Sequence, residues 1–161
     1  MNNALPEIIE YFKGHDWKFT LDDERPVLHT GFSGQNGEWR CVAALEREET
    51  QFAFLSFLPC KAPAKVRRTC SELLVRINYR LSTGAFQMDW DDGEILMKTT
   101  TIISGERLSS EIIHPVVGLN LTTMDHFFPA FMKVLYTGAK PKEALEQSDE
   151  AGEVRRRFEL N

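Results

Sequence analysis

Four histidines, three cysteines and one acidic run are the residues of this chain whose chemistry could build a site. His15, His29, His114 and His126 stand apart. None forms an HxxxH or HExxH pair, and none lies beside a second good metal ligand. Cys41, Cys60 and Cys70 form no CxxC and no zinc spacing, so they read as reduced thiols. Cys70 falls on the apolar stripe of a helix, the place of an inert buried thiol. Cys60, between Pro59 and Lys61, is the thiol with an activating neighbour. Asp89-Trp90-Asp91-Asp92-Gly93-Glu94 begins like a calcium loop, but that pattern needs Gly sixth and Glu twelfth, where this chain has Glu94 and Thr100. No GxGxxG, GxxxxGK[ST] or GxSxG occurs, and Gly31-Phe32-Ser33-Gly34 does not match a nucleophile elbow. The expectation is no catalytic residues, no metal and no cofactor.

Charge narrows the partners. The net charge of −5 opposes non-specific attraction to nucleic acid and to anionic lipid. Arg67, Arg68, Arg76 and Arg80 read as a solvated helix face paired with Glu72, and Arg155–Arg157 follows a balancing acidic stretch. No nucleic-acid partner is expected. No apolar run approaches the roughly 20 residues of a membrane span, and the first residues lack the pattern of a signal peptide. A cytoplasmic chain is expected, with no membrane partner.

The 161 residues suit one domain, which needs no disulfide staples at this size. Leu5–Lys13 has helical spacing, with Pro6 in its first turn and Gly14 at its end. Trp17–Leu21, Val27–Ser33 and Trp39–Glu46 follow as strands, the last two joined by the turn signal Gly34-Gln35-Asn36-Gly37. Phe52–Leu58 is apolar almost throughout, the pattern of a strand covered on both faces. One helix layer covers one face, so the other needs a further element or a second subunit. Pro63–Leu81 reads as a helix with Val66, Cys70, Leu73, Leu74, Ile77 and Leu81 on one stripe.

Ala85–Ile103 reads as a hairpin about a two-residue type I′ turn at Asp92-Gly93. That turn sets Trp90 across from Ile95, Met88 from Met97 and Phe86 from Thr99, all on one face. Ser109 or Ser110 can cap the next helix. Pro115, Gly118 and Pro129 predict a kink or break in it, with Thr122 or Thr123 as a second cap and Gly138 as the stop. Pro141–Glu146 adds a short turn. The expected domain is 1–147, with 148–161 a charged, frayed tail.

Leu73-Leu74-Val75-Arg76-Ile77-Asn78-Tyr79-Arg80-Leu81, followed by Gly84-Ala85-Phe86-Gln87-Met88-Asp89 and Asp92-Gly93-Glu94, resembles the YbjN family, bacterial proteins described as sensory transduction regulators. Thr99-Thr100, Leu108-Ser109, Gly138-Ala139-Lys140-Pro141 and Glu143-Ala144-Leu145 continue the likeness, which is best from about Leu73 to Leu145. The resemblance implies an α+β fold similar to type III secretion chaperones: a curved antiparallel sheet flanked by helices, in the order α-β-β-β-β-α-β-β-α(α). It also implies a homodimer. It carries no catalytic residues.

The expected function is a non-catalytic protein-binding or regulatory module, chaperone-like by that resemblance, with itself and an unidentified client or regulatory protein as partners. The candidate dimer or partner surface is Phe52, Phe54, Leu55, Phe57, Leu58, Met88, Trp90 and Met97. Met88, Met97, Met124 and Met132 would suit an adaptable surface or fill a core. The alternative is a small-molecule-binding protein or minor enzyme with a pocket under the sheet, for which Tyr79, Asp89, His114 and His126 are the polar groups on hand.

Overall fold

The structure, a computed structural model, describes residues 4–103 and 107–159, the stretch 151–159 by its backbone alone. Six strands form one antiparallel sheet: β1 Phe19–Leu21, β2 Val27–Ser33, β3 Glu38–Glu46, β4 Gln51–Phe57, β5 Ala85–Met88 and β6 Ile95–Ile102. Their spatial order is β1-β2-β3-β4-β6-β5, so β4 and β6 are neighbours and the β5–β6 hairpin closes one edge. The helices are α1 Leu5–Gly14, α2 Arg67–Asn78, α3 Ser110–Met132 and α4 Pro141–Glu159. The expected element order is the observed one.

Alternation along the strands sorts the side chains. Trp39, Cys41, Ala43 and Leu45 of β3, Phe52, Phe54 and Ser56 of β4, and Ile95, Met97 and Thr99 of β6 face the helices and are buried. Phe12 of α1 stacks 6.2 Å from Phe54 and meets Trp17 edge-on at 5.1 Å. Trp39 stacks on Phe128 of α3 at 5.8 Å. Phe86 of β5 lies 4.9 Å from Phe131 of α3. This is the core, and it lies entirely between the sheet and one helix layer.

Three expectations are corrected. The β5–β6 hairpin is shifted by two residues: Met88 pairs with Ile95 and Phe86 with Met97. The faces survive this shift because the side-chain period is two, but Trp90 moves off the strand into the loop and is exposed. A type I′ turn needs two left-handed residues, whereas in this loop only Gly93 has positive φ (+80°). The loop is longer, closed by Asp89 N–H donating to the Glu94 carbonyl (2.8 Å). Asp89 and Asp92 carboxylates accept from the N–H groups of Asp91 and Glu94, both at 2.9 Å. Gly93 is buried against Ala62, whose N–H donates to its carbonyl.

Next, α3 is one helix, with Pro115 and Pro129 inside it. Each proline removes one backbone bond, yet Ile113, Val117, Asn120, Leu121, Met124, Phe127, Phe128 and Phe131 bury a continuous face that holds the helix together. It passes through a wider π-type turn at Lys133–Thr137 and stops at Gly138, left-handed at φ +69°. Ser109 takes the N-cap position, but its hydroxyl makes no capping bond. Finally, the stretch from 148, expected to fray, continues α4 to Glu159. Ser148 is buried, and Asp149 pairs with Arg80 just past α2 (2.7 Å) and lies 3.6 Å from His126 of α3, which ties the helix down past the expected boundary. Arg155–Arg157 lies outside the residues whose side chains are described.

Candidate functional site: the open face of the sheet

Among the described residues the four helices lie on one side, and no helix covers the other side of the sheet. Cross-strand register arranges it in rows: Gly31–Arg40–Phe57–Leu96–Gln87, then Thr20–His29–Val42–Leu55–Lys98–Ala85, then Val27–Ala44–Ala53–Thr100, then Glu46–Gln51–Ile102. Its centre is apolar, yet Ala53 is wholly buried and Phe57 is 9% exposed. Two ion pairs account for this. Arg40 on β3 reaches across β4 to Glu94 at the start of β6 (2.9 Å), and its guanidinium lies 3.6 Å from the centre of the Phe57 ring. Lys98 on β6 reaches back across β4 to Glu46 on β3, with its ammonium 2.8 Å from both carboxylate oxygens. The second pair runs diagonally over Ala53. Long charged side chains thus cover apolar strand with their stems while their heads neutralise one another. Between the two straps Val42 and Leu55 stay half-buried, and Ile102 at the rim is 77% exposed.

The eight residues expected to form a dimer or partner surface do not share one face. Phe52, Phe54 and Met97 point to the helices with no exposed area and offer nothing to a partner. Leu55 and Phe57 lie on the open face. Leu58 is buried beyond the end of β4, Met88 is half-buried on β5, and Trp90 is exposed at the hairpin tip. Of the methionines, Met97 and Met124 are fully buried in the core. The straps were missed because Arg40–Glu94 and Lys98–Glu46 join residues 54 and 52 positions apart. Alternation within β3 puts Arg40 and Glu46 on one face, but only the strand order brings Glu94 and Lys98 to them across β4.

Asn120, also missed, is bolted under β4 and β6. Its side-chain amide donates to the carbonyls of Phe54 (2.8 Å) and Met97 (3.0 Å), and its oxygen accepts from the Ser56 hydroxyl (2.5 Å). An asparagine on the apolar side of a helix is the one signal the sequence held for it.

Tyr79, Asp89, His114 and His126 do not converge. Tyr79 is 93% exposed at the C-terminal cap of α2, Asp89 holds the hairpin loop, and His126 faces Asp149. His114 instead meets α1: its Nδ1 is 3.0 Å from the Tyr11 hydroxyl, and its ring lies 5.8 Å from His15. Burial pushes the Tyr11 phenol above its ordinary pKa, so it stays a donor. His15 Nδ1 donates to the Tyr11 carbonyl (2.7 Å), which leaves Nε2 as an acceptor when the ring is neutral. Beside them lies a cleft of about 470 Å³ lined by Glu7, Glu10, Tyr11, His15, Arg107 and Ser109, among others. Glu7 pairs with Arg107, whose hydrogen bond holds the carboxyl below the usual range.

Burial pushes the Cys41 and Cys70 thiols up to about 11, and Cys60 is half-buried. Among the described residues no group of three or more His, Cys, Asp or Glu is placed to hold a metal ion, and no helix is long and apolar enough to cross a membrane.

Comparison with known proteins places this geometry. Among curated proteins none matches the chain significantly. Among solved structures, the chain is similar to YbjN from E. coli, titled "a putative transcription regulator", with a TM-score of 0.57 and 12% identity over 78% of this chain and 88% of that one. That likeness shows a shared fold. The chaperone–effector complex of HopA1 and SchA gives a TM-score of 0.48 and 9% identity over 73% of this chain and 85% of the other. The YbjN family, described as "Putative bacterial sensory transduction regulator", matches residues 5–133. The match starts at α1, so it takes in the N-terminal half, ahead of the stretch from Leu73 where the sequence likeness is best. It ends before Gly138-Ala139-Lys140-Pro141 and α4. From its first helix to the end of its third, this chain belongs to the YbjN family.

Proposed function

We propose that this chain is a non-catalytic regulatory module that binds a protein partner on the open face of its sheet and works as a homodimer. The observation that carries the reading is the apolar centre of that face, Val42, Leu55, Phe57 and Leu96, held between two internally neutralised straps. A face whose charges are paired within the chain has little to offer a polyanion or an anionic membrane, and its apolar rows suit a protein surface. The eighteen outward residues of the four rows, each taking about 4.8 Å by 6.8 Å of sheet, present roughly 600 Å², near the ~800 Å² per partner of a standard interface. The family description, a sensory transduction regulator, fits a protein that exchanges partners and turns over no substrate.

The test is Leu55→Glu, which puts an unpaired acid at the apolar centre of the face and removes no helix contact. Proteins retained by the tagged wild-type chain should be lost by this variant while its circular dichroism and melting temperature stay near wild type. An unchanged set of retained proteins would sink the reading.

A small-molecule function is the second reading. It would be housed away from the sheet, in the cleft lined by Glu7, Tyr11, His15 and Arg107, because that is where polar groups meet at bonding distance. A melting temperature raised by one metabolite, and no longer raised in Tyr11→Phe, would favour it.

A further inference from the structure

The two edges of the sheet are not alike. At the β5 edge, the backbone groups of Phe86 point outward, and the Asn78 side chain takes both: its oxygen accepts from the Phe86 N–H (2.8 Å) and its amide donates to the Phe86 carbonyl (2.9 Å). This amide stands where a further strand would pair and blocks it. Among the described residues the β1 edge has no such plug. Asp22 N–H donates to the Val27 carbonyl, which fixes the parity of the β1–β2 ladder. Thr20 therefore bonds inward to His29, while the N–H and C=O groups of Phe19 and Leu21 point away from the sheet. Among the described residues none bonds to them.

The sequence of this edge is complementary to itself. Antiparallel pairing about a two-fold axis at Thr20 sets Phe19 opposite Leu21 of the copy, Thr20 opposite Thr20, and Lys18 opposite Asp22. The outward groups of Phe19 and Leu21 fall in register, giving four backbone hydrogen bonds. Leu21, 45% exposed in the single chain, gains the half-buried Phe19 of the copy on the helix side of the sheet. Lys18 faces Asp22 of the copy on the open side, where that carboxylate also holds Arg25 (2.8 Å). We infer that β1 is the contact between two copies of this chain, joined edge to edge into one twelve-stranded sheet.

This proposal rests on the homodimer reading and specifies its contact. The two-fold axis stands perpendicular to the sheet, so both helix layers fall on one side and both open faces on the other. The partner-binding surface of one copy continues into that of its neighbour.

The test is a disulfide. Residues facing each other in a non-hydrogen-bonded antiparallel pair have Cα atoms about 4.5 Å apart, within disulfide range. In a Cys60→Ser background, Thr20→Cys should convert most of the chain to a reducible dimer under mild oxidation. Lys18→Cys, whose own copy is four residues out of register, should not. Leu21→Pro removes an outward N–H that bonds nothing inside the chain, and it should raise the dimer dissociation constant at least tenfold by sedimentation, with the melting temperature of the monomer little changed. A dimer that Leu21→Pro leaves intact and Thr20→Cys does not cross-link would overturn the edge contact and leave the homodimer reading standing. A strict monomer at hundreds of micromolar would sink both.

Discussion

Replacing Asn120 by alanine tests whether the polar bolt between α3 and the sheet stabilises the fold. The side chain is fully buried; the Thr99 hydroxyl, which accepts from its amide at 3.2 Å, keeps its bond to the Val116 carbonyl, and the other partners fall into two groups. The carbonyls of Phe54 and Met97 stand in the β4–β6 ladder and keep their backbone bonds when the amide is removed. The Ser56 hydroxyl, also fully buried, is left with only the Cys41 thiol at 3.5 Å. Stranding that hydroxyl costs about 1–3 kcal/mol, and the small cavity left by the carboxamide adds roughly 0.5–1 kcal/mol. The expected loss is thus roughly 2–4 kcal/mol, a fall of about 5–15 °C in melting temperature for a domain of this size.

Chemical denaturation followed by tryptophan fluorescence measures it, since Trp39 is buried against α3. Asn120→Asp sharpens the test. Ser56 would still donate to one carboxylate oxygen, but the oxygen replacing the amide nitrogen would face two carbonyls in a buried site, so the folded-state pKa lies above the unfolded value near 3.9. The folded state then holds its proton more tightly, and stability falls as pH rises from about 4 toward neutrality. Wild type should not show that slope. An Asn120→Ala loss under about 0.5 kcal/mol, or an Asn120→Asp variant as stable at pH 7 as at pH 4, would refute the reasoning.

Two further outcomes follow from packing. Gly93→Ala would place a methyl 2.0 Å from the Ala62 carbonyl oxygen at a φ of +80°, so the hairpin tip must leave its seat. A loss of at least 2 kcal/mol is expected, compared with about 1 kcal/mol for a left-handed position without a clash, and denaturation curves of the two chains measure it. A thiol reagent at pH 7.5 should modify one cysteine per native chain, Cys60, because Cys41 and Cys70 are buried and their thiols are held near 11. All three should react in denaturant; peptide mapping of the labelled chain identifies them.

The sequence by itself determined the elements, their order and the faces of the strands. Alternation in β3, β4 and β6 is a local property, so the buried side of each could be read from spacing alone. The family was legible from the α2–β5–β6 stretch for the same reason, since it is a run of consecutive residues. Local rules also misled where packing outweighed them. Asp92-Gly93 argued for a two-residue turn, but the approach of Gly93 to Ala62 set a longer loop and displaced Trp90 from the strand. Pro115 and Pro129 argued for a break, but the apolar face of α3 kept the helix whole.

What only the tertiary structure decided is how distant faces meet. The apolar run of β4 divides into residues beneath the helices, Phe52 and Phe54, and residues beneath two ion-pair straps, Ala53 and Phe57. Hydrophobic patterning shows that both sides are dry. Which side is closed by a helix and which by charged side chains spanning the strand depends on strand order, and that is a property of the folded sheet.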